Sequence, residues 1–137
     1  MYKIVIAACL LLLWLDMPVQ ANVMVTLTPA SGQVNIGQTV GVAIDISGLD
    51  SSVALSSYDL SLGFDPALLH FDSAVFGDPV SGDQLDLAGL GVNFPSATEG
   101  AGLINLIQFS LDSSADLLNL QMDQFTLATN SRYFKLP

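Results

Sequence analysis

The sequence predicts an all-β protein, two antiparallel sheets packed face to face as a sandwich. Three observations carry this. After residue 22, apolar side chains recur with a period of two in segment after segment. The alternating runs are short and are punctuated by turn chemistry such as Pro29-Ala30-Ser31-Gly32 and Asp65-Pro66. No repeat of roughly 20–50 residues occurs, which argues against a solenoid or propeller.

The first segment stands apart from the rest. Lys3 precedes an unbroken apolar run from Ile4 to Leu15, Asp16-Met17-Pro18 breaks it, and Val19-Gln20-Ala21 places small residues before a cut. This reads as a secretory signal peptide, residues 1–21, cleaved after Ala21. The run is shorter than the roughly 20 residues that span a bilayer, so no membrane span is expected after cleavage. Ile6-Ala7-Ala8-Cys9 resembles a lipoprotein box, but Cys9 lies too early, inside the apolar run. Cleavage leaves a mature chain without cysteine, one that relies on its core rather than on disulfides.

In the mature chain Val23, Val25 and Leu27 alternate with Met24, Thr26 and Thr28. Val40, Val42, Ile44 and Ile46 alternate with Gly41, Ala43, Asp45 and Ser47, the strongest strand pattern in the chain. Tyr58, Leu60, Leu62 and Phe64 then alternate with Ser57, Asp59, Ser61 and Gly63 until Asp65-Pro66 ends the run. Leu68 to Phe76 is extended again. Gly77 to Gly102, rich in Gly, Asp, Pro and Ser, reads as long loops with one short strand near Gly91 to Phe94. Leu103 to Leu111 is a strand, with Ile107, Phe109 and Leu111 on one face and Gln108, Ser110 and Asp112 on the other. Ser113 caps one or two helical turns that reach Leu120, with Asp116 in the first turn. Phe125 to Thr129 begins the last strand.

Composition narrows the function. The chain has 137 residues, 13 of them acidic and 3 basic, for a net charge of −10. No basic stripe exists to neutralise phosphates, which argues against nucleic acid, and the same balance disfavours an anionic membrane surface. Catalytic constellations are also missing. His70 is the only histidine, Glu99 the only glutamate, and the one tryptophan, Trp14, leaves with the signal. The expectation is a noncatalytic protein. The loop Gly77 to Asp86 holds Asp78, Asp83 and Asp86, hard oxygen donors that could take calcium. Their spacing does not match an EF-hand, and an ordinary solvated turn explains the same residues.

The run Ser57-Tyr58-Asp59-Leu60-Ser61-Leu62-Gly63-Phe64-Asp65-Pro66-Ala67-Leu68-Leu69-His70-Phe71 resembles the third and fourth strands of a cohesin domain. Val34 to Val40, Gly100 to Leu111 and Phe125 to Thr129 resemble other strands of that family. The resemblance implies a jelly-roll sandwich, related to carbohydrate-binding modules, exported to the outside or surface of a bacterial cell. It implies a scaffold role in which one sheet face binds a dockerin, a small calcium-loaded module, and so gathers polysaccharide-degrading enzymes. On that view Ser57, Asp59 and Ser61, with Gln108 and Ser110, face the partner. Alternation alone also predicts solvent-facing polar residues there. A carbohydrate-binding module and a cell-surface or matrix structural domain stand as alternatives, with extracellular polysaccharide as the partner of the first.

The resemblance fades at the end. Asn130 to Pro137 contains both bases of the mature chain, Arg132 and Lys135, and departs from the family pattern. The reading is a domain over residues 22–129 that lacks its last one or two strands, then an atypical tail over 130–137 from a shortened or frame-shifted product. Unpaired edges and marginal stability as an isolated monomer are the expected consequence.

Overall fold

The computed structural model describes residues 22–91 and 93–134, so the signal-peptide reading of residues 1–21 lies outside the described residues. Seven strands and one short helix follow in order: β1 (Met24–Pro29), β2 (Thr39–Ser47), β3 (Ser57–Gly63), β4 (Leu69–Phe76), β5 (Ser96–Gly100), β6 (Leu103–Phe109), α1 (Ser114–Leu120) and β7 (Gln124–Phe134). They form two sheets, β1-β2-β7-β4 and β3-β6-β5. Every neighbouring pair is antiparallel. This is the antiparallel two-sheet sandwich that the alternation predicts.

The core lies between the sheets. Ile44 and Ile46 from β2 meet Phe125, Leu127 and Ala128 from β7, with Ile104 and Leu106 of β6 opposite and Leu85 inserted from a loop. Tyr58, Leu60, Leu62 and Phe64 pack on this cluster from the β3 side. Leu127 and Ala128 are adjacent yet both buried, which strict alternation forbids. A register shift at Ile44/Asp45 resolves this: Ile44 pairs with Ala128 and Asp45 with Thr126, leaving Leu127 as the extra residue of a bulge. At α1, the Ser113 hydroxyl accepts from the Asp116 amide and donates to its carboxylate, as the capping pattern predicts.

The short strand expected near Gly91 to Phe94 amounts, among the described residues, to a single bridge between Asn93 and Ser110. Two further stretches differ from expectation. Ser96 to Gly100 forms a strand, not a loop. Its composition hides it, because Ala97 alone contributes an apolar side chain to the core. Pairing with β6 through a tight hairpin holds it in place. Gly102 in that hairpin has φ +83°, and a Cβ there would meet the Phe64 carbonyl oxygen at 3.0 Å, so only glycine fits.

The second difference is the last strand. It does not stop at Thr129 but runs to Phe134, paired with β2 on one side and β4 on the other. Residues 130–134, read from composition as a tail, are therefore strand, because two flanking backbones offer ladder partners whatever the side chains. The consequence falls on the side chains. Asn130, between Val42 and Ala74, is wholly buried, and among the described residues neither its Nδ2 nor its Oδ1 has a hydrogen-bond partner. Arg132 is buried too, with its guanidinium 5.4 Å from the Phe64 ring centre and its Nε without a hydrogen-bond partner among the described residues. Burial pushes the Arg132 guanidinium below its ordinary pKa.

Candidate functional site

The site follows from the alternation of β3. Tyr58, Leu60 and Leu62 turn inward, which leaves Ser57, Asp59 and Ser61 exposed on the outer face. These three sit where the sequence places them. Asp59 is held in position from the next strand: Asn105 Nδ2 donates to Asp59 Oδ1 at 2.6 Å and to Ser61 Oγ at 3.4 Å.

On β6 the faces are the reverse of those read from the sequence. Ile104, Leu106 and Gln108 are buried, while Leu103, Ile107 and Phe109 are exposed. Gln108 is therefore not a partner-facing residue. Both parities of Leu103–Phe109 carry aliphatics, so alternation cannot choose between them, and a slip of one residue exchanges every side chain. Pairing with β3 decides: Leu106 lies opposite Leu60, Ile104 opposite Leu62 and Gln108 opposite Tyr58. The signal available beforehand was Asn105, a polar residue sharing its parity with Ile107 and Phe109.

Gln108 is buried because it is fully engaged. The Tyr58 hydroxyl donates to Gln108 Oε1 at 2.8 Å, and Gln108 Nε2 donates to Asp83 Oδ2 at 2.7 Å. Asn93 Nδ2 donates to the same carboxylate oxygen, and the Leu85 amide donates to Asp83 Oδ1. Burial, with the Asp83 carboxylate adding to it, pushes the Tyr58 phenol well above its ordinary pKa and keeps it a neutral donor. This network ties the 77–93 loop to the underside of β3 and β6. Ser110, also expected on the partner face, lies past the end of β6, where its hydroxyl accepts from the Asp112 amide at 3.0 Å.

The outer face of β3-β6-β5 thus has a pattern. A polar row, Ser57, Asp59 and Ser61, runs beside an apolar row on β6. Phe94 extends the apolar row by stacking on Phe109, with ring centres 4.6 Å apart and planes 17° from parallel. Phe94 and Phe109 remain 54% and 41% exposed, and Ile107 36%. Large apolar side chains on a hydrogen-bonded sheet face, with a polar row beside them, make a preformed surface for a partner.

The three loop carboxylates do not gather. Asp78 accepts from the amides of Val80, Ser81 and Thr126, which lower its pKa to about 2. Asp83 belongs to the buried network, and Asp86 accepts from the amides of Leu90 and Gly91. Among the described residues no group of three or more His, Cys, Asp or Glu is arranged to hold a metal ion. No helix of the described residues is long and apolar enough to cross a membrane.

No family model and no curated protein matches the sequence. Solved structures do match the fold. A type II cohesin domain from the cellulosome of Acetivibrio cellulolyticus superposes with a TM-score of 0.63 over 82% of this chain and 68% of its own, at 13% identity. The type II cohesin A11 of Bacteroides cellulosolvens gives 0.62 over 82% and 69%, at 12% identity. The sixth cohesin of Acetivibrio cellulolyticus scaffoldin B, solved in complex with a Cel5 dockerin mutant, gives 0.57 over 81% and 71%, at 20% identity. At such identities the likeness establishes the fold: a cohesin-type jelly-roll sandwich.

Proposed function

Taking the cohesin-type sandwich as its premise, we propose that this chain is a noncatalytic protein-binding module. It docks a dockerin-type partner on the outer face of β3-β6-β5, in an exported, polysaccharide-associated setting. One observation supports this above others: Phe94, Ile107 and Phe109 stay exposed on a rigid sheet, beside a carboxylate fixed by Asn105. The fold neighbours add weight, because some of those cohesins were solved with dockerins bound. The face needs no rearrangement to bind. Its apolar row gains by leaving water, while Asp59 and the serines offer acceptors and donors that fix register on a partner helix.

The test is capture by the immobilised chain from a panel of calcium-loaded dockerin modules, run beside retention on insoluble cellulose, chitin and exopolysaccharide. At least one dockerin is expected to bind. Phe109→Ser then weakens binding about thirtyfold, a loss of about 2 kcal/mol for a central apolar anchor. Retention on polysaccharide with no dockerin captured contradicts the proposal and favours direct carbohydrate binding.

A further inference from the structure

Among the described residues, one flank of the sandwich is open. Register with β2 fixes the direction in which β1 faces: Val25 lies opposite Ile46 and Leu27 opposite Ile44, so both belong to the core side of the sheet. Yet Val25 is 46% exposed and Leu27 54%, and Val23, of the same parity, is 43% exposed. The other flank differs, since β4 and β5 approach each other there and Phe71, Ala74 and Phe76 of β4 pack on the core. Among the described residues the outer backbone edge of β1 pairs with no strand, nor does that of β3, the edge of the second sheet on the same flank.

We propose that this flank is a self-association surface, on which β1 of one copy adds antiparallel to β1 of a second copy. Charge selects the occupant. The chain carries a net charge of −10, so most surfaces of two copies repel, but Val23 to Pro29 contains no ionisable side chain. The nearest carboxylate, Asp45, belongs to β2, one strand in from the edge, and is engaged by the hydroxyls of Thr28 and Thr126. A basic partner finds no charge on the edge strand itself, and a second copy brings none to it. The usual protections of an edge are absent as well: there is no lysine and no inward charge, and the only proline is the last residue, Pro29.

The sequence of β1 is also self-complementary. Antiparallel pairing centred on Thr26 sets Thr26 against Thr26 and Val25 against the second copy's Leu27. Residues of equal parity pair, so Val25 and Leu27 of both copies stay on the core side, with Met24 opposite Thr28 on the outer face. The two-fold axis that makes this contact is isologous and closes at a dimer. The contact is independent of the partner face, which lies on the other sheet.

Sedimentation velocity on the purified full chain, from about 5 to about 500 µM, tests this, with a reversible monomer–dimer equilibrium expected in that range. Val25→Lys and Leu27→Lys each weaken association about tenfold or more by placing a charge on the core side of the edge. Val75→Lys, on the exposed side of β4, leaves association unchanged. As a readout independent of those substitutions, Thr26→Cys in a Cys9→Ser background forms a disulfide-linked dimer on mild oxidation, and Ser73→Cys does not. A wild-type chain that stays monomeric throughout overturns the proposal. So does association that survives both lysine variants, or that is lost with Phe109→Ser instead.

Discussion

Asn130 is the residue whose replacement is expected to strengthen the fold most. It sits at the centre of β7 between Val42 and Ala74, is wholly buried, and leaves both amide atoms without hydrogen-bond partners among the described residues. Each buried, unsatisfied polar group costs on the order of 1–3 kcal/mol. Valine has nearly the same volume and suits a strand. Allowing for imperfect packing of the new methyl groups, Asn130→Val is expected to stabilise the domain by about 2 kcal/mol. For a domain of this size that raises Tm by about 8 °C. Thermal unfolding followed by circular dichroism reads the shift, and urea titration should move the midpoint upward with the slope unchanged. Asn130→Asp should act in the opposite direction, because it buries a charge with no partner. An Asn130→Val protein that melts at or below the wild-type temperature with the same slope refutes the reasoning, since the amide would then be satisfied in solution.

Three further outcomes follow from named contacts. Asp78 has its pKa lowered from 3.8 to about 2, so its ionised form favours the folded state. That contribution is complete above the unfolded value and disappears as pH falls through the folded one. Stability should therefore drop between about pH 4 and pH 2, and Asp78→Asn should flatten that part of the profile. Asp83→Ala removes the acceptor of Gln108, Asn93 and the Leu85 amide, and is expected to cost about 3 kcal/mol in urea unfolding; an unchanged midpoint would mean that the network is not formed. Because Asp78, Asp83 and Asp86 are each engaged by separate donors, adding calcium or a chelator should leave the melting temperature unchanged. A shift of several degrees would show that the loop rearranges around an ion.

What the sequence conveys and what it hides have physical causes. Where one parity is apolar and the other polar, as in Tyr58 to Phe64 and Val40 to Ser47, strand and facing are both readable. Ser57, Asp59 and Ser61 consequently sit on the outer face as expected. Where both parities are apolar, as in Leu103 to Phe109, the strand is readable but its facing is not, and Gln108 belongs to the core. Phe94 and Phe109 escape notice as a pair because the hairpin that brings them together contains β5, whose side chains barely enter the core. The extent of β7 is hidden for a related reason. A central strand is held by backbone pairing on both sides, which tolerates Asn130 and Arg132 at positions where a core pattern asks for aliphatics.

Hydrogen–deuterium exchange on the chain bound to a captured dockerin decides where the partner sits. With docking on β3-β6-β5, amides of Phe94 and of strands β3 and β6 slow on binding, while those of β1 and β2 keep their free-state rates. Protection confined to the β1-β2-β7-β4 sheet, with Phe94 and β3 unchanged, would contradict the assignment of the binding face.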